Sequence, residues 1–581
     1  MNWDLKDFYL GFDDPNYQKD IKRLELLISD YLQLPSLMSQ LKELEVLLKY
    51  IEINQEMVKL VRTLTSFNSL TRSTDVSNQQ ALLNLAQLSK MLNETTQTNV
   101  LFTRYLSSVE LEKYLNNDII KDNFFQLNKI KESSKHLLTE QEEILYSKLR
   151  EVSSSSWSQV QNLLTAKLDV LYEGKNITLP EVRNLAYDKD EKVRKAAYYA
   201  EIEASESIEE MVALALSNIK REVVIMSELR GYDNVIESTL ISSNMSLETL
   251  TAMIDAMRDF RPYFANYLKA KANYLGHKNG LPFYDLFAPV GSLKKTYTYE
   301  EAQTVIVEAF GSYSSKLSGF ASKAFTLNWL DPFPKRGKSG GAFCSNQPQL
   351  KQSRILSNFT GSLSDVSTLA HELGHGYHGE IISDNTPLNW SYPMPLAETA
   401  SIFCETIVTN HLLSELTDDE ERLSVLEIAL QGDTQVIIDI LSRYIFETEI
   451  IKLADGPISK DQMKSIMISA QKEAYQDGLD PNILHPFMWL NKGHYYSSGL
   501  NFYNFPYAFG LLFGKGLYAI YLEDKEAFIK NYDNLLALTT KATVEDVAKS
   551  MNIDVTKKAF WINSLKIIKK DIDEVIRLLN I

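Results

Sequence analysis

A chain of 581 residues with 44% hydrophobic side chains holds enough apolar surface for a large core, and its length allows about two to four domains. Its 76 acidic against 60 basic side chains give a formal charge of -16, which repels polyphosphates and excludes a broad basic surface for nucleic acid. Two cysteines, Cys344 and Cys404, exclude a disulfide framework and suit a reducing compartment.

The opening MNWDLKDFYLGFDDPNY lacks the basic, apolar and small-residue zones of a secretory signal, so the cytoplasm is the expected location. From Asp20 to about Ser107 apolar residues recur every three or four positions, as at Leu24, Leu27 and Tyr31 and again at Leu41, Leu44, Leu47 and Leu48. This predicts a run of helices with a break at Pro35. A second helical group is predicted through Glu140 to Leu171, where the serines Ser153 to Ser156 compete for backbone bonds and favour a helix start within or just after them. Asp188 and Asp190 open a periodic segment that reaches Leu229 and closes on Gly231, the pattern of one long helix. A boundary is placed here, dividing an N-terminal helical domain, 1–190, from a larger domain, 191–581, that holds the candidate catalytic residues read below.

Between about Leu327 and Thr360, proline and glycine punctuate short pieces such as GGAFCSN and SRILSNF, the one region that reads as sheet. Cys344 has no histidine close in sequence and reads as a packing residue, not a nucleophile. From Val366 onward the pattern is again helical, so the fold class is mainly α.

His371, Glu372 and His375 form a His-Glu-x-x-His motif within STLAHELGHGYHG. Four-residue spacing puts both imidazoles on one helical face, able to converge on a zinc ion at about 2.0 to 2.1 Å. The glutamate between them can take a proton from water. A catalytic zinc needs a third protein ligand and an open position, and Glu398 and Glu405 in PLAETASIFCETIV are the candidates. Seven residues apart, they share a helical face, so spacing leaves both open. Glu398 is preferred, with Glu405 orienting a ligand histidine. His378 reads as structural, because a fourth protein ligand would close the site to water.

Attack of such a water on a carbonyl would also call for donors at the developing oxyanion, and His494, Tyr496, Tyr503 and Tyr507 lie in one tract that can supply them. Just beyond, Phe505 to Leu522 is nearly free of charge, but Lys515, Pro506 and three glycines within it predict a buried helix instead of a membrane span.

The combination HELGHGYH, AETASIFCE and GHYYSSGLNFYNFPYAFG resembles the M3 metallopeptidases, specifically the oligoendopeptidase F branch. WDLKDFY, the stretch from LSSVELEKYL to SSSSWSQVQNLL, DKDEKVRKAAYYA, GAFCSNQ and SRILSNFTGSLSDVSTLA also have counterparts there, so the resemblance covers most of the chain. It implies a zincin-like catalytic core with a small β-sheet, inside a helical two-part shell around a deep substrate channel. It implies that Glu398, the first glutamate of a Glu-x-x-Ser segment ending at Ser401, joins His371 and His375 in holding one Zn2+ ion per chain. Oxyanion stabilisation falls to His494 and the tyrosines after it, with Tyr503 and Tyr507 both open. The implied activity is that of a zinc-dependent endopeptidase, hydrolysing internal bonds of short unstructured oligopeptides by metal-activated water with Glu372 as general base. Oligopeptides are then the partners, without nucleic acid or membrane, and the sequence sets no oligomeric state and leaves a monomer open.

Overall fold

Most helices of the computed structural model, which describes residues 3–291 and 295–580, start on a side chain that accepts a backbone N–H of the first turn. Asn78 accepts from Ala81, Asn117 from Ile120, Thr139 from Glu142 and Ser459 from Gln462. Each such cap contributes about 0.5–2 kcal/mol and marks where apolar periodicity begins. The expected N-terminal run is present as Pro15–Leu32, Leu34–Met38, Glu43–Thr74, Gln79–Asn93 and Thr96–Ser107. Pro35 lies in the first turn of the second of these, where its missing N–H has no intrahelical acceptor to lose.

By compactness the chain forms two units, each assembled from three stretches. The first comprises Met1–Leu137, Lys295–His411 and Tyr521–Asn552, and the second Leu138–Lys294, Leu412–Ile520 and Ile553–Ile581. This grouping by contact differs from a single contiguous division at residue 190.

Five short strands occur among the described residues. In the second unit β1 (Asp169–Tyr172) and β2 (Lys175–Thr178) form an antiparallel hairpin. Its turn is made by Glu173 and Gly174, with φ of 49° and 75°, the two-residue geometry that matches strand twist. The helical prediction through Leu171 overran this hairpin, because Gly174 alone announces the turn. In the first unit β3 (Leu330–Asp331), β4 (Phe343–Gln347) and β5 (Gln352–Leu356) make a sheet in the order β3-β5-β4, within the expected region. β5 runs parallel to β3 and antiparallel to β4, with Cys344 opposite Ile355. Buried Arg354 ties the sheet to the N-terminal segment, donating to the carbonyl of Asp4 at 2.8 Å and to the carboxylate of Asp7 at 3.3 Å. The first unit's core gathers Leu24, Ile28, Leu47 and Leu64, with Tyr50 stacked on Phe102 at 3.7 Å.

The second unit buries charge in pairs. Lys271 meets Glu427 at 2.5 Å with Tyr267 donating to the same oxygen, and Lys220 meets Glu447 at 2.7 Å and Asn501 at 2.9 Å. Buried ions of this kind are tolerated only when extra hydrogen bonds use their remaining atoms. The single helix expected from Asp190 to Leu229 is two helices, Glu191–Glu206 and Glu209–Leu229. The Ser207 hydroxyl and N–H both turn back to the Ala204 carbonyl, tightening the last turn, and Glu209 is drawn to Lys460 and Lys464. Lys515, in the helix Phe505–Glu523, lies 4.0 Å from Asp433, and no described helix is long and apolar enough to cross a membrane.

The serine run does start a helix, Ser154–Ala166, but its cap comes from a distant residue. Glu222 accepts from the Ser153 hydroxyl at 2.6 Å, the Ser154 N–H at 3.0 Å and the Ser154 hydroxyl at 2.7 Å. Glu222→Ala should therefore destabilise the second unit by about 1–3 kcal/mol, measured as a lower urea midpoint, whereas Ser156→Ala should leave it nearly unchanged.

Candidate active site

The His-Glu-x-x-His motif lies on the helix Leu363–Ile382 of the first unit, started by a reciprocal Ser362–Asp365 capping box. The two imidazoles face each other with ring centres 4.9 Å apart, as the spacing predicts. His371 Nε2 is 3.2 Å, and His375 Nε2 3.4 Å, from the same oxygen of Glu398. Ligand atoms at about 2.0–2.1 Å from a tetrahedral zinc stand about 3.3 Å apart, so these three atoms have the spacing of donors around one ion. Glu398 lies at the break between the helices Met394–Ala397 and Thr399–Glu415, where the Ser401 hydroxyl donates to it at 2.7 Å.

Glu405 approaches His371 from the other side, 3.1 Å from Nδ1, and accepts from Ser367 at 3.1 Å. That partner keeps the proton on Nδ1 and leaves Nε2 for a metal. The charge balance is that of a cation site. Burial draws the His371 imidazole down, but hydrogen bonds to Glu398 and Glu405 outweigh it and raise it to about 10. Glu398, although burial pushes it up, is held well below the carboxylate range by both histidines. Glu372 is 6% exposed, and among the described residues its Oε2 has no hydrogen-bond partner. Burial raises its carboxyl despite the two imidazoles.

His494, Tyr503 and Tyr507 form a second cluster, in the second unit. The Tyr503 and Tyr507 hydroxyls are 2.7 Å apart, and the Tyr503 ring stacks on His494 at 5.5 Å. Arg443 donates to Asn504 Oδ1 at 3.2 Å, which turns the Asn504 amide nitrogen toward His494 Nε2 at 3.3 Å. Nε2 then accepts, so the neutral ring carries its proton on Nδ1, which has no partner among the described residues. Burial, then Arg443, Lys220 and Lys492, push this imidazole down to about 3 and keep it neutral. Sequence reasoning missed Arg443 and Asn504, which carry no motif of their own. Tyr496 is fully buried and donates to the Trp489 carbonyl, a structural use. A further His and carboxylate group, Glu191, His277 and Asp285, is an ion-pair network, since Arg194 already binds Asp285 at 2.7 Å.

The family model of Peptidase family M3 matches residues 184–567, more than half of the chain. This chain belongs to peptidase family M3. A second family model, Oligopeptidase F, matches residues 106–169. An oligoendopeptidase F homolog of Borreliella burgdorferi is 24% identical over 99% of this chain and 97% of its own length. Oligopeptidase PepF of Bacillus subtilis is 23% identical over 78% of this chain and 68% of its own. The oligoendopeptidase-F structure from Enterococcus faecium matches with a TM-score of 0.73 at 18% identity, covering 97% of this chain and 99% of that one. A Chlamydophila abortus structure gives 0.83 at 22%, covering 99% and 98%. The mainly helical fold with small sheets is thus shared with the branch that the motifs indicated, and this M3 member is a metalloendopeptidase.

What brings the M3 motif together is close backbone approach. A Cβ on Gly374 would lie 2.6 Å from the Ala400 carbonyl oxygen and 2.7 Å from Ser401 Cα. On Gly379 it would overlap the Asn346 side chain of β4, whose amide donates to the His375 carbonyl at 3.0 Å. His378 does not join the ligand group: it is fully buried, bonds Thr539 at 2.8 Å and stacks on Tyr392.

Gly374→Ala should push the Glu398 segment away from the histidines and weaken metal binding on the order of ten- to a hundredfold while the helical signal persists, read by titration of a divalent cation against a competing chelator. A pH effect follows from His378. Burial lowers its imidazole to about 3, below the roughly 6.5 of an unfolded histidine. Between those values the unfolded chain takes up the proton, so this stability is present above pH about 6.5 and lost as pH falls toward 3. His378→Gln should flatten that acid loss in urea midpoints of the metal-free protein.

Proposed function

We propose that this M3 peptidase is a zinc-dependent endopeptidase that hydrolyses internal bonds of short unstructured peptides, with His371, His375 and Glu398 holding one ion and Glu372 as general base. The observation that carries this reading is the convergence of two Nε2 atoms on one Glu398 oxygen, beside a buried carboxylate with an unused oxygen. Bound zinc would supply the Lewis acidity that polarises a scissile carbonyl and makes water easier to deprotonate. Glu372 takes the proton from the attacking water and delivers it to the leaving amine. Its burial, which strengthens its hold on a proton, suits a group that first accepts and then releases one. Glu405 keeps His371 in the tautomer that presents Nε2.

The role of His494, Tyr503 and Tyr507 as donors to the developing oxyanion rests on the family motif, and a neutral His494 with its proton on Nδ1 has the donor such a role needs. The names of the relatives, oligoendopeptidase F and oligopeptidase, support short peptides as the substrate class. The division into 1–190 and 191–581 is proposed as one of evolutionary modules, the larger bearing the chemistry.

Glu372→Gln should keep its zinc and lose about 10²–10⁴-fold in turnover of a quenched fluorescent peptide. Ordinary cleavage by that variant would exclude Glu372 as the base. Glu398→Ala should empty the site, whereas Glu405→Ala should lower metal affinity about 10–100-fold. Reversal of these two effects would exchange their roles. Tyr503→Phe and Tyr507→Phe should each retain zinc, and whichever phenol donates should lose on the order of ten- to a thousandfold in kcat.

A further inference from the structure

A second cavity, of about 320 Å³, lies wholly within the second unit. Its walls come from the helix Leu179–Asn184, the helix Glu191–Glu206, the loop around Phe283–Phe287 and the π-turn Gln435–Asp439, with Lys492 and His485 completing it. Its volume is that of a small-molecule site, and π-turns recur where a chain presents side chains to a ligand. Tyr187, Tyr198, Phe283, Tyr284 and Phe287 give it an aromatic lining, with Tyr187 and Phe287 in ring contact at 4.9 Å.

The polar groups decide what it can take. Arg194 is matched by Asp285 at 2.7 Å, Asp439 by Arg443, and Glu201 by Arg183 at 3.4 Å. Lys492 remains as a half-buried cation that makes no hydrogen bond or ion pair among the described residues. Burial and the neighbouring cations Arg443 and Arg183 outweigh the carboxylates of Asp439 and Glu201 and push its ammonium down to about 8, so a further anion beside it would relieve the remaining penalty. His485 adds a second donor, engaged only by a long contact. Its Nδ1 accepts the Phe487 N–H at 3.2 Å, so the neutral ring carries its proton on Nε2. That atom is buried, on a residue 2% exposed, and stands 3.5 Å from Glu201 without completing a hydrogen bond. One surplus positive charge, one N–H held by nothing closer than Glu201 at 3.5 Å and an aromatic wall suit a monoanion with an apolar body.

We propose that this cavity binds a small carboxylate with an aromatic or branched apolar body, its oxygens held by Lys492 and His485 with Arg183 at the edge. Such a group is found both at the C-terminal residue of a peptide and in free carboxylic acids. Calorimetric titration of the zinc-loaded full chain with 3-phenylpropionate, 3-phenylpropionamide and N-acetyl-alanyl-phenylalanine separates these sources. The acid should bind one to one and the amide at least about tenfold more weakly, as expected when a charged hydrogen bond is lost. Lys492→Met should weaken the acid by at least about tenfold, and Lys492→Arg should restore it to within about threefold, because charge is kept and only head-group shape changes. Ala186→Trp, which fills the cavity without altering charge, should abolish binding and serves if Lys492→Met does not fold. Tighter binding of the acetylated dipeptide assigns the site to peptide C-termini, and tighter binding of the free acid assigns it to small acids. Absence of binding by both carboxylates, equal binding of the amide, or unchanged binding in folded Lys492→Met or Ala186→Trp would overturn the proposal.

Discussion

Two backbones have to come almost into contact for one carboxylate to reach two imidazoles on a neighbouring helix. At Gly374 that contact is made, with room for a hydrogen and not for a methyl group. Three glycines in one helix, Gly374, Gly376 and Gly379, would each cost a free helix about 0.5–1 kcal/mol relative to alanine. Each instead admits a neighbour: the Ala400–Ser401 backbone, the Phe320 ring and the Asn346 side chain. The helix is weakened locally so that the chain around it can close in, and His371, His375 and Glu398 inherit their spacing from that packing.

The charges around the motif follow from the same closeness. Glu398 lies against two histidines and Glu405 against the far nitrogen of one of them, so the carboxylates divide into one that shares the ligand face and one that sets a tautomer. Glu372, on the same helix, is left with an oxygen that has no hydrogen-bond partner among the described residues. A carboxylate buried in that state is costly, and the proposed exchange of a proton with water would give that oxygen a use.

Much of this was legible in the sequence because its signals are local. A four-residue spacing fixes which helical face two histidines share, caps announce helix starts, and proline and glycine mark the small sheet. The Glu398 and Glu405 alternatives could not be separated by spacing, since the difference between them lies in where Thr399–Glu415 begins and how closely it packs. The β1–β2 hairpin was hidden because its two strands are four residues each and only one glycine marks the turn. The break at Ser207 was hidden for another reason: lysines more than two hundred positions away in sequence pull on Glu209. The Arg443, Asn504 and His494 relay likewise joins residues whose types are unremarkable until folding sets them in a row.

The first unit's three-stretch construction carries a consequence for how the protein is made. Tyr377 and His378, on the motif helix, bond Asp533 and Thr539, which belong to the last stretch of that unit. Translation proceeds from the N-terminus, so the motif helix leaves the ribosome long before these partners exist. Until synthesis has passed Thr539, its buried tyrosine and histidine lack these two partners. Bracing of the motif helix therefore waits on the synthesis of Asp533 and Thr539, and a product terminated before them would carry every residue of His-Glu-x-x-His on a helix without these two contacts.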